Sequence, residues 1–427
     1  MCGELNTMPG DFKSILSIFI IFVVVVILVV IIITVCRRAI ALRRYRTLDR
    51  FRSEFGGKIR EMLDRKKKPE AFYIFSFPKR SLEWQAVEHT LISLTEEKKY
   101  EEAGIVLYEQ LGYRLYYEKM LKKRNIIDRS SAAEKLGRMR CEASVAKLIL
   151  LLDEDNTEVT SVALRALSKI GTLTALRAVL EQIPVLYARL LVTRKSIEQA
   201  LLNFGPSAIP EMVRVGERYG DPVAKAFVLE VLGDLKSVEA LPLAVRYLEH
   251  SAPEVRSKAL KVIAAAGGGL STMEKEKVQS LLKDPVWFVR LKAAQAVGAL
   301  RYCTKPALLV ERMADEKWQV RNAAATAVVM ATANPAEVFL GMLSASDRYA
   351  KESICEEIQK TGFVYRLIDN LHPPGTSVYE TSRKVLSIMV LLEYGTPLKE
   401  YMKDNAGSRI AKELASIVPD GEIGVAL

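Results

Sequence analysis

A short segment that recurs about every 30 residues constrains the fold of this chain more than any other sequence feature. Four copies are most alike, at residues 221–229, 251–260, 284–294 and 315–325. Each opens with Asp or Ser, continues to Val or Ala followed by Arg or Lys, and then to small and apolar residues. A repeated unit of this length is one supersecondary element that must stack on its neighbours, so we expect a repeat array.

The basic residue of each copy marks the register of the repeat. Extended in both directions, this register gives eight marker positions separated by 30 to 34 residues, Arg129, Thr160, Arg194, Lys225, Arg256, Arg290, Arg321 and Lys351. Small and apolar residues follow each marker three, four and seven places on, which is the spacing of a buried helical stripe. A second amphipathic stretch, such as Pro306–Met313, lies between markers. The pattern therefore predicts two antiparallel helices per repeat and no parallel sheet.

Residues at the turns predict where the helices begin and end. The Asp-Pro pairs at 221–222 and 284–285 predict an N-cap aspartate followed by a proline at the first helical position. Gly137, Gly171 and Gly233 are expected to end helices, because glycine readily adopts the left-handed conformation of a C-terminal cap.

The pattern Asp-x-x-x-x-Val-Arg-x-x-Ala-Ala-x-Ala-Val/Leu-Gly resembles the HEAT repeat, in the short form also called PBS-lyase-type HEAT. The resemblance covers residues 125–360 well, with degenerate copies at 81–124 and 361–400. The chain as a whole is similar to bacterial and archaeal proteins that couple one N-terminal membrane span to such an array. The resemblance implies an all-α fold, an α-α superhelix or HEAT/armadillo-like solenoid, that serves as a scaffold for protein–protein contact and implies no reaction.

An apolar segment from Ile15 to Val35 predicts a transmembrane helix ahead of the repeats. Its only polar members are Ser17 and Thr34, and a helix of this length spans about 30 Å, the thickness of the hydrocarbon core. A cleaved signal peptide does not fit, because the start is near neutral and no small residues precede a cleavage point at Arg37. The segment is therefore expected to remain as an anchor.

The net charge of +11 is concentrated next to that anchor. Residues 37–80 hold fifteen Lys and Arg against five Asp and Glu, whereas residues 81–427 carry a net charge of +2. Positive charge stays on the cytosolic side, so we expect a single-pass protein of the cell (inner or plasma) membrane with its N-terminus outside and its solenoid in the cytoplasm.

The basic stretch after the anchor is expected to continue as a helix over 37–68, with a bend at Gly56-Gly57. Three interpretations stay open: the helix lies against lipid headgroups, forms a coiled stalk, or serves only to determine topology. Basic side chains near an anionic leaflet are favourable. The candidate headgroup contacts are Arg37, Arg38, Arg43, Arg44 and Arg46.

These features predict five segments along the chain. They are a short extracytoplasmic N-terminus at 1–14, the transmembrane helix at 15–36, a basic juxtamembrane helical stem at 37–80, the HEAT-repeat solenoid at 81–400, and a C-terminal cap and tail at 401–427.

Two sets of residues are candidates for binding a protein. Trp287 and Trp318 occupy matching positions in successive repeats, and such a stripe of aromatics is either a binding hot spot or packing between repeats. The markers Arg256, Arg290 and Arg321 either grip carboxylates of a partner or, as the resemblance implies, pair with a turn aspartate of a neighbouring repeat.

No motif in the sequence predicts catalysis, a cofactor or a metal site. The three histidines are isolated, and the five cysteines are far apart and never in C-x-x-C spacing. The acidic run Asp153-Glu154-Asp155 lies at a predicted turn, where carboxylates stabilise a helix N-terminus.

The expected function is that of a membrane-anchored adaptor that binds an unidentified protein partner on the cytoplasmic side. By analogy with the family, one candidate partner is an envelope polysaccharide or glycosyltransferase system. The alternatives are a nucleic-acid-binding HEAT-like protein and a bilin lyase-like enzyme. Nucleic acid is not expected as a partner, because residues 81–427 are nearly neutral.

The topology can be tested with reporters fused after Leu427. A reporter that is active only in the cytosol should be active, and a reporter that is active only outside the cytosol should be inactive. Activity of the second reporter would reverse the predicted orientation.

Overall fold

The computed structural model describes residues 10–345 and 348–418, and within them the chain forms helices, short 3-10 turns and loops but no strand. The predicted all-α helical-repeat fold, preceded by one long apolar helix, is confirmed. Of the predicted end segments, residues 1–9 and 419–427 lie outside the described residues.

The α-helices are numbered in chain order. They are α1 Gly10–Asp64, α2 Leu82–Thr95, α3 Glu101–Gln110, α4 Tyr113–Met120, α5 Ile126–Arg138, α6 Val145–Ile149, α7 Thr157–Ile170, α8 Leu173–Ala188, α9 Arg194–Asn203, α10 Ile209–Arg218, α11 Pro222–Asp234, α12 Leu241–Tyr247, α13 Pro253–Ala266, α14 Thr272–Ser280, α15 Trp287–Leu300, α16 Pro306–Met313, α17 Trp318–Ala331, α18 Pro335–Ala345, α19 Arg348–Lys360, α20 Phe363–Asp369, α21 Ser377–Leu391, α22 Thr396–Asp404 and α23 Arg409–Ala415.

The chain divides into two compact units, a first unit up to Ile170 and a second unit from Gly171 onward. In the first unit, α1 packs on α2 and α5 packs on α7. In the second unit, α11, α13, α15 and α17 stack in order, and the intervening helices α12, α14 and α16 each pack against the helix that follows. Burial of apolar faces between neighbouring hairpins is therefore the basis of both units.

Helix α1 joins the apolar segment to the first unit without interruption. The side chains of residues 21–35 are exposed throughout, and by length and composition α1 is the one helix of the described residues that is suited to cross a membrane. The helix continues through Gly56-Gly57, where a bend was predicted, to Asp64, so the two glycines do not interrupt it. Gly56 is buried beside the side chain of Thr90 on α2, and a Cβ there would be in ordinary van der Waals contact with it at 3.9 Å.

The second half of α1 belongs to the folded core. Leu48, Phe55 and Ile59 are buried, and the ring of Phe55 contacts those of Phe75 and Phe77, with centroids 5.8 and 5.3 Å apart. The interpretation of the whole stem as lying along lipid headgroups does not fit this burial. One face of this part of α1 is instead buried in the core of the first unit.

The marker register is reproduced by the helices. Seven of the eight markers are the fourth residue of their helix, in α5, α7, α11, α13, α15, α17 and α19; we call these the marker helices. Arg194 is the exception, as the first residue of α9 after the N-cap Thr193. Its guanidinium lies over the ring of Phe227 and pairs with Glu198, so it does not occupy the marker position.

The two Asp-Pro pairs differ in what they do. Asp221 caps α11 as predicted, accepting a hydrogen bond from the backbone N–H of Ala224 at 3.0 Å, with Pro222 at the first position. Asp284 is not the N-cap of α15, which begins two residues after Pro285. Its carboxylate instead accepts from the N–H of Val286 and forms a turn.

The glycine predictions are correct at one position of three. Gly171 follows the end of α7 with a φ of +76°. Gly137 and Gly233 lie inside α5 and α11. A Cβ at Gly137 would lie 2.5 Å from the Cα of Ala166 on α7, so this glycine permits two marker helices to touch through their backbones.

Substitution at Gly137 tests this close approach. Gly137→Ala should lower the stability of the first unit by about 1–3 kcal/mol, because the clash is with backbone that cannot move aside. Gly57→Ala is the matched control, since a Cβ there meets nothing within 4 Å, and it should be neutral or stabilising by up to about 1 kcal/mol. Thermal unfolding of the full chain in detergent measures both, and equal effects would refute the packing argument.

Candidate protein-binding surface

Two marker arginines tie successive hairpins of the second unit together. Arg256 donates from Nε and Nη2 to the two carboxylate oxygens of Asp284, at 2.8 and 2.9 Å. Arg290 binds Asp315 in the same way, at 2.7 and 3.0 Å. Each arginine also donates from Nη1 to two carbonyl oxygens of the turn before its own helix. Bidentate pairs of this kind fix geometry as well as charge.

The third candidate arginine is bound differently. Arg321 donates from Nη1 to the backbone oxygen of Asp315 at 2.9 Å. In the first unit, Arg129 pairs with Glu154 at 2.8 Å. The markers Arg256, Arg290 and Arg321 thus bond to groups of the chain itself, and Arg290 is only 8% exposed.

The Arg290–Asp315 pair is the most deeply buried of these contacts. Burial raises the pKa of Asp315, but hydrogen bonds from Arg290 and the Lys317 N–H, with the charges of Arg290 and Arg312, outweigh it and lower the pKa below its usual range. The hydrogen bond that Arg290 donates to Asp315 correspondingly raises the pKa of Arg290. The pair is therefore ionised near neutral pH.

The two tryptophans occupy equivalent positions but have different surroundings. Each is the first residue of its helix, Trp287 of α15 and Trp318 of α17. Trp287 is half-buried and stands edge-to-face with the ring of Phe288, at 6.0 Å between centroids. Trp318 is 61% exposed. Only Trp318 therefore presents a large aromatic surface that a partner can cover.

Trp318 lies at one end of a shallow groove between α15 and α17, with a volume of about 420 Å³. Met330, which is 44% exposed, lines the same groove three turns further along α17. The floor between them is formed by small side chains of both helices. These are Ala294, Gly298, Ala299, Ala323, Thr326 and Ala327.

The groove follows from the small residues that the repeat places between the two helices. A Cβ at Gly298 would lie 3.4 Å from the Cα of Ala327 and 3.7 Å from the sulfur of Met330. The helices therefore approach closely, and the larger side chains at the two ends stand above the floor. Tryptophan and methionine are enriched where proteins bind one another, the first as an anchor and the second as an adaptable apolar contact.

On the marker helices that precede the groove, lysines form ion pairs with carboxylates of the neighbouring helix. Glu230 on α11 pairs with both Lys258 and Lys261 of α13, and Lys261 also reaches Asp234. Burial, together with the charges of Lys258 and Lys261, lowers the pKa of Lys292 on α15. Because these lysines are paired or partly buried, they do not form the open cationic stripe that nucleic acid requires.

His89 and His250 are both half-buried. Burial and the charges of Lys135, Arg52 and Arg138 lower the pKa of His89 to about 4, so the imidazole is neutral near pH 7. His250 accepts from the N–H of Ala252 at 3.1 Å. In the described residues, no three His, Cys, Asp or Glu side chains come together in a way that would hold a metal.

The candidate headgroup contacts Arg37, Arg38, Arg43, Arg44 and Arg46 are all exposed on α1, between the apolar segment and the buried part of that helix. Arg44 donates to the side-chain oxygen of Gln85 on α2 at 3.2 Å. The structure therefore places these arginines on the stretch of α1 that separates the first unit from the apolar segment.

Sequence reasoning missed most of the groove. Met330 and the small residues of the floor belong to the same periodic pattern as the core, and no signal in one sequence separates the Ala side chains that face a neighbour from those that face a groove. The usable signal was the tryptophan at the first helical position, which identified one end of the groove at Trp318.

Comparison with known proteins supports the repeat assignment over a short stretch. Residues 276–300, which include the end of α14 and all of α15, match the HEAT repeat family. No curated protein matches the chain. Among solved structures, an engineered protein is 15% identical over 78% of this chain and 94% of its own, with a TM-score of 0.33. A designed armadillo repeat protein in complex with the peptide (KR)4 is 16% identical over 51% of this chain and 98% of its own, with a TM-score of 0.29.

The Arg290–Asp315 bridge can be tested by removing one charge. Arg290→Met should lower the stability of the second unit by about 3–5 kcal/mol, because Asp315 is left buried without its counter-ion. Arg348→Met is the control, since its pair with Glu352 is exposed and should contribute at most about 0.5 kcal/mol. Chemical denaturation of the full chain in detergent measures both.

The same bridge predicts a pH dependence. The folded-state pKa of Asp315 is lowered, so its stabilising contribution is complete above the unfolded value of about 3.9 and is lost as the pH falls through the folded value. The difference in stability between the wild type and Arg290→Met should therefore shrink in acid. A difference that stays constant down to low pH would exclude this role.

Proposed function

We propose that this protein is a membrane-anchored adaptor in which helix α1 holds the chain in a bilayer and the groove between α15 and α17 binds a protein partner in the cytoplasm. The observation that carries the proposal is the exposed Trp318 at the end of an apolar groove on a helical-repeat unit.

The anchoring part of the proposal is supported by helix α1. Its apolar side chains, at Phe19 and from Ile21 to Val35, are exposed and pack against no other part of the described chain. An exposed apolar surface of this size is unfavourable in water and favourable in lipid, where the helix also satisfies its own backbone hydrogen bonds. The basic residues from Arg37 onward support an orientation with the N-terminus outside and the repeats in the cytoplasm.

The partner-binding part is supported by the chemistry of the groove. Trp318, Met330 and the small floor residues offer an apolar trough, with the amide groups of Gln295, Gln319 and Asn322 along it. An amphipathic segment with one or two large apolar side chains fits such a trough, because its anchors bury against tryptophan and methionine while its backbone or polar groups meet the amides.

The identity of the partner follows only by analogy. Proteins that join one membrane span to PBS-lyase-type HEAT repeats suggest an envelope polysaccharide or glycosyltransferase assembly in a bacterium or archaeon, and we propose that class first. The proposal assigns no catalytic step to the chain. The nucleic-acid and bilin-lyase alternatives gain no specific support from the described residues.

A photo-crosslinking amino acid at position 318 tests the groove. In native membranes, the full chain with the crosslinker at Trp318 should give a discrete protein adduct. The same crosslinker at Met273, which is also exposed on the second unit, should not. Adducts with lipid alone, or the same adduct from both positions, would contradict the proposed site.

Substitution of the tryptophan gives the energetic test once the partner is captured. Trp318→Ala should weaken binding by about 30-fold, as expected for the loss of roughly 2 kcal/mol at a central anchor. Met273→Ala is the matched control and should leave affinity unchanged. Unfolding midpoints of the two variants should match that of the wild type, because both side chains are exposed.

A further inference from the structure

Three helices of the first unit run in the same direction, and this places a set of loops at the end of the unit that faces the apolar segment. Along α1 and α2, Arg44 contacts Gln85, Gly56 lies beside Thr90, and Asp64 pairs with Lys99. Residue numbers rise together on the two helices, so they are parallel.

Helix α5 continues this arrangement on the other side of α2. Glu88 of α2 pairs with Lys135 of α5 at 3.2 Å, and Glu96 pairs with Arg138 at 3.3 Å. The N-terminal ends of α2 and α5 therefore lie at the same end of the unit as Arg43 and Arg44, where α1 enters it from the apolar segment.

A chain of contacts crosses this end of the unit. Gln85, which accepts from Arg44, donates from its side chain to the backbone oxygen of Arg80 at 2.8 Å. Arg80 in turn donates from Nε to the hydroxyl of Tyr116 at 2.8 Å, and the ammonium of Lys79 lies 5.7 Å from the centre of the same ring. The loop before α2 is thus connected to α1 on one side and to α4 on the other.

The turn between α4 and α5 completes the surface. Lys123 pairs with Asp128 at 3.0 Å, and the charge of Asp128 acts on Arg80. Residues 122–127 are all exposed, among them Lys122, Arg124 and Ile127, and the side chain of Ile127 is 70% exposed. Two adjacent apolar residues, Ile126 and Ile127, therefore stand in solvent, with only Asn125 between them and the three basic residues 122–124.

Positive charge at this end of the unit is concentrated on α1, the loop before α2 and the turn between α4 and α5. Among the described residues, the cations without an ion pair here are Arg43, Arg44, Lys79, Arg80, Lys122 and Arg124. The nearby acids are Asp128, which is paired with Lys123, the half-buried Glu83, Glu154, which is paired with Arg129, and the exposed Asp153, Asp155 and Glu158 beside the start of α7. A cationic surface with an exposed apolar pair matches an anionic lipid surface, which attracts the charges and accepts the apolar side chains at its interface.

The distance of Arg44 from the end of the apolar segment, measured along α1, places this surface close to the bilayer. The eight residues from Cys36 to Arg44 advance about 12 Å along the helix, and the headgroup layer extends roughly 5–7 Å beyond the hydrocarbon. Arg44 and its neighbours therefore lie within about one or two Debye lengths of the headgroups. By the same measure, the basic run Arg65–Lys68 lies about 40 Å away, at the opposite end of the unit.

We propose that the end of the first unit formed by Lys79, Arg80, residues 122–124 and Ile126-Ile127 is a second membrane contact, which docks on anionic lipid and fixes the unit against the bilayer. This inference rests on the proposed anchoring by α1 but assigns a separate surface. The anchor supplies attachment, and the docking surface supplies orientation.

The test uses the full chain in vesicles with a fluorescent NBD label at a single cysteine. Cys2, Cys36 and Cys303 are replaced by serine, while Cys141 and Cys355 remain because they are fully buried. Ile127→Cys carries the label at the docking surface. Lys98→Cys, exposed at the opposite end of α2 and α1, is the matched control. The vesicles contain phosphatidylcholine alone or phosphatidylcholine with phosphatidylglycerol, each with a nitroxide-labelled lipid as quencher.

In vesicles with phosphatidylglycerol, quenching at position 127 should exceed that at position 98 by at least about twofold, with a blue-shifted emission, and should fall as salt is added. The variant Lys122→Glu/Lys123→Glu/Arg124→Glu should lose the difference. The milder Lys122→Gln/Arg124→Gln, which keeps the Lys123–Asp128 pair, should reduce it. Equal quenching at the two positions, or no dependence on lipid charge, would overturn the docking surface.

Flotation of the same samples after alkaline carbonate extraction separates the two proposals. Chains that float while position 127 stays unquenched leave the anchor intact and refute the docking surface. Chains that do not float refute the anchor and, with it, the docking surface that depends on it.

Discussion

Neighbouring marker helices pack on one another through small side chains, and the rest of the structure depends on that close contact. At Gly137 the next helix lies so near that a Cβ would clash with the backbone of Ala166, and at Gly298 a Cβ would be in van der Waals contact with Ala327. A hairpin of this size cannot bury its apolar face alone, so it is stable only against its neighbours. Close contact in turn requires that turns stay in register, and the bidentate Arg256–Asp284 and Arg290–Asp315 bridges hold them there. The same small residues leave the shallow floor beside Trp318.

Helix α1 connects the packed core of the first unit directly to the apolar segment. Because residues 48–64 are part of the first unit and the helix is uninterrupted, the apolar segment is not tethered through a flexible linker. An independent anchor would leave the orientation of the folded part free. Because α1 belongs both to the apolar segment and to the folded part, it limits the orientation of the folded part. The parallel packing of α2 and α5 then determines which loops lie beside the basic arginines of α1. The docking surface follows from helix direction, which no count of charges along the sequence reveals.

The periodic pattern was sufficient to predict the repeat, the helix content and seven of the eight marker positions, because burial on one helix face imposes a fixed spacing. It failed where residues serve contacts between elements. Gly137 and Gly233 lie inside helices and not at their ends, and a Cβ on either would press against the neighbouring helix. Arg194 has the sequence spacing of a marker but is the first residue of its helix and not the fourth, because α8 and the loop after it shift the start of α9. At the candidate site, Trp318 was predicted, but its difference from Trp287 depends on Phe288 and the opening between α15 and α17.

The two proposed surfaces depend on different interactions, electrostatic attraction at the docking end and apolar contact in the groove, and this separates their roles. The docking end of the first unit carries unpaired cations, so its attraction to lipid is long-range and screened by salt. The groove is apolar, and the lysines on the marker helices before it are paired or partly buried, so binding there depends on short-range fit. A cationic groove would itself be attracted to anionic lipid, as the docking end of the first unit is. A neutral groove leaves the membrane to the first unit and remains open to a partner that brings an apolar segment.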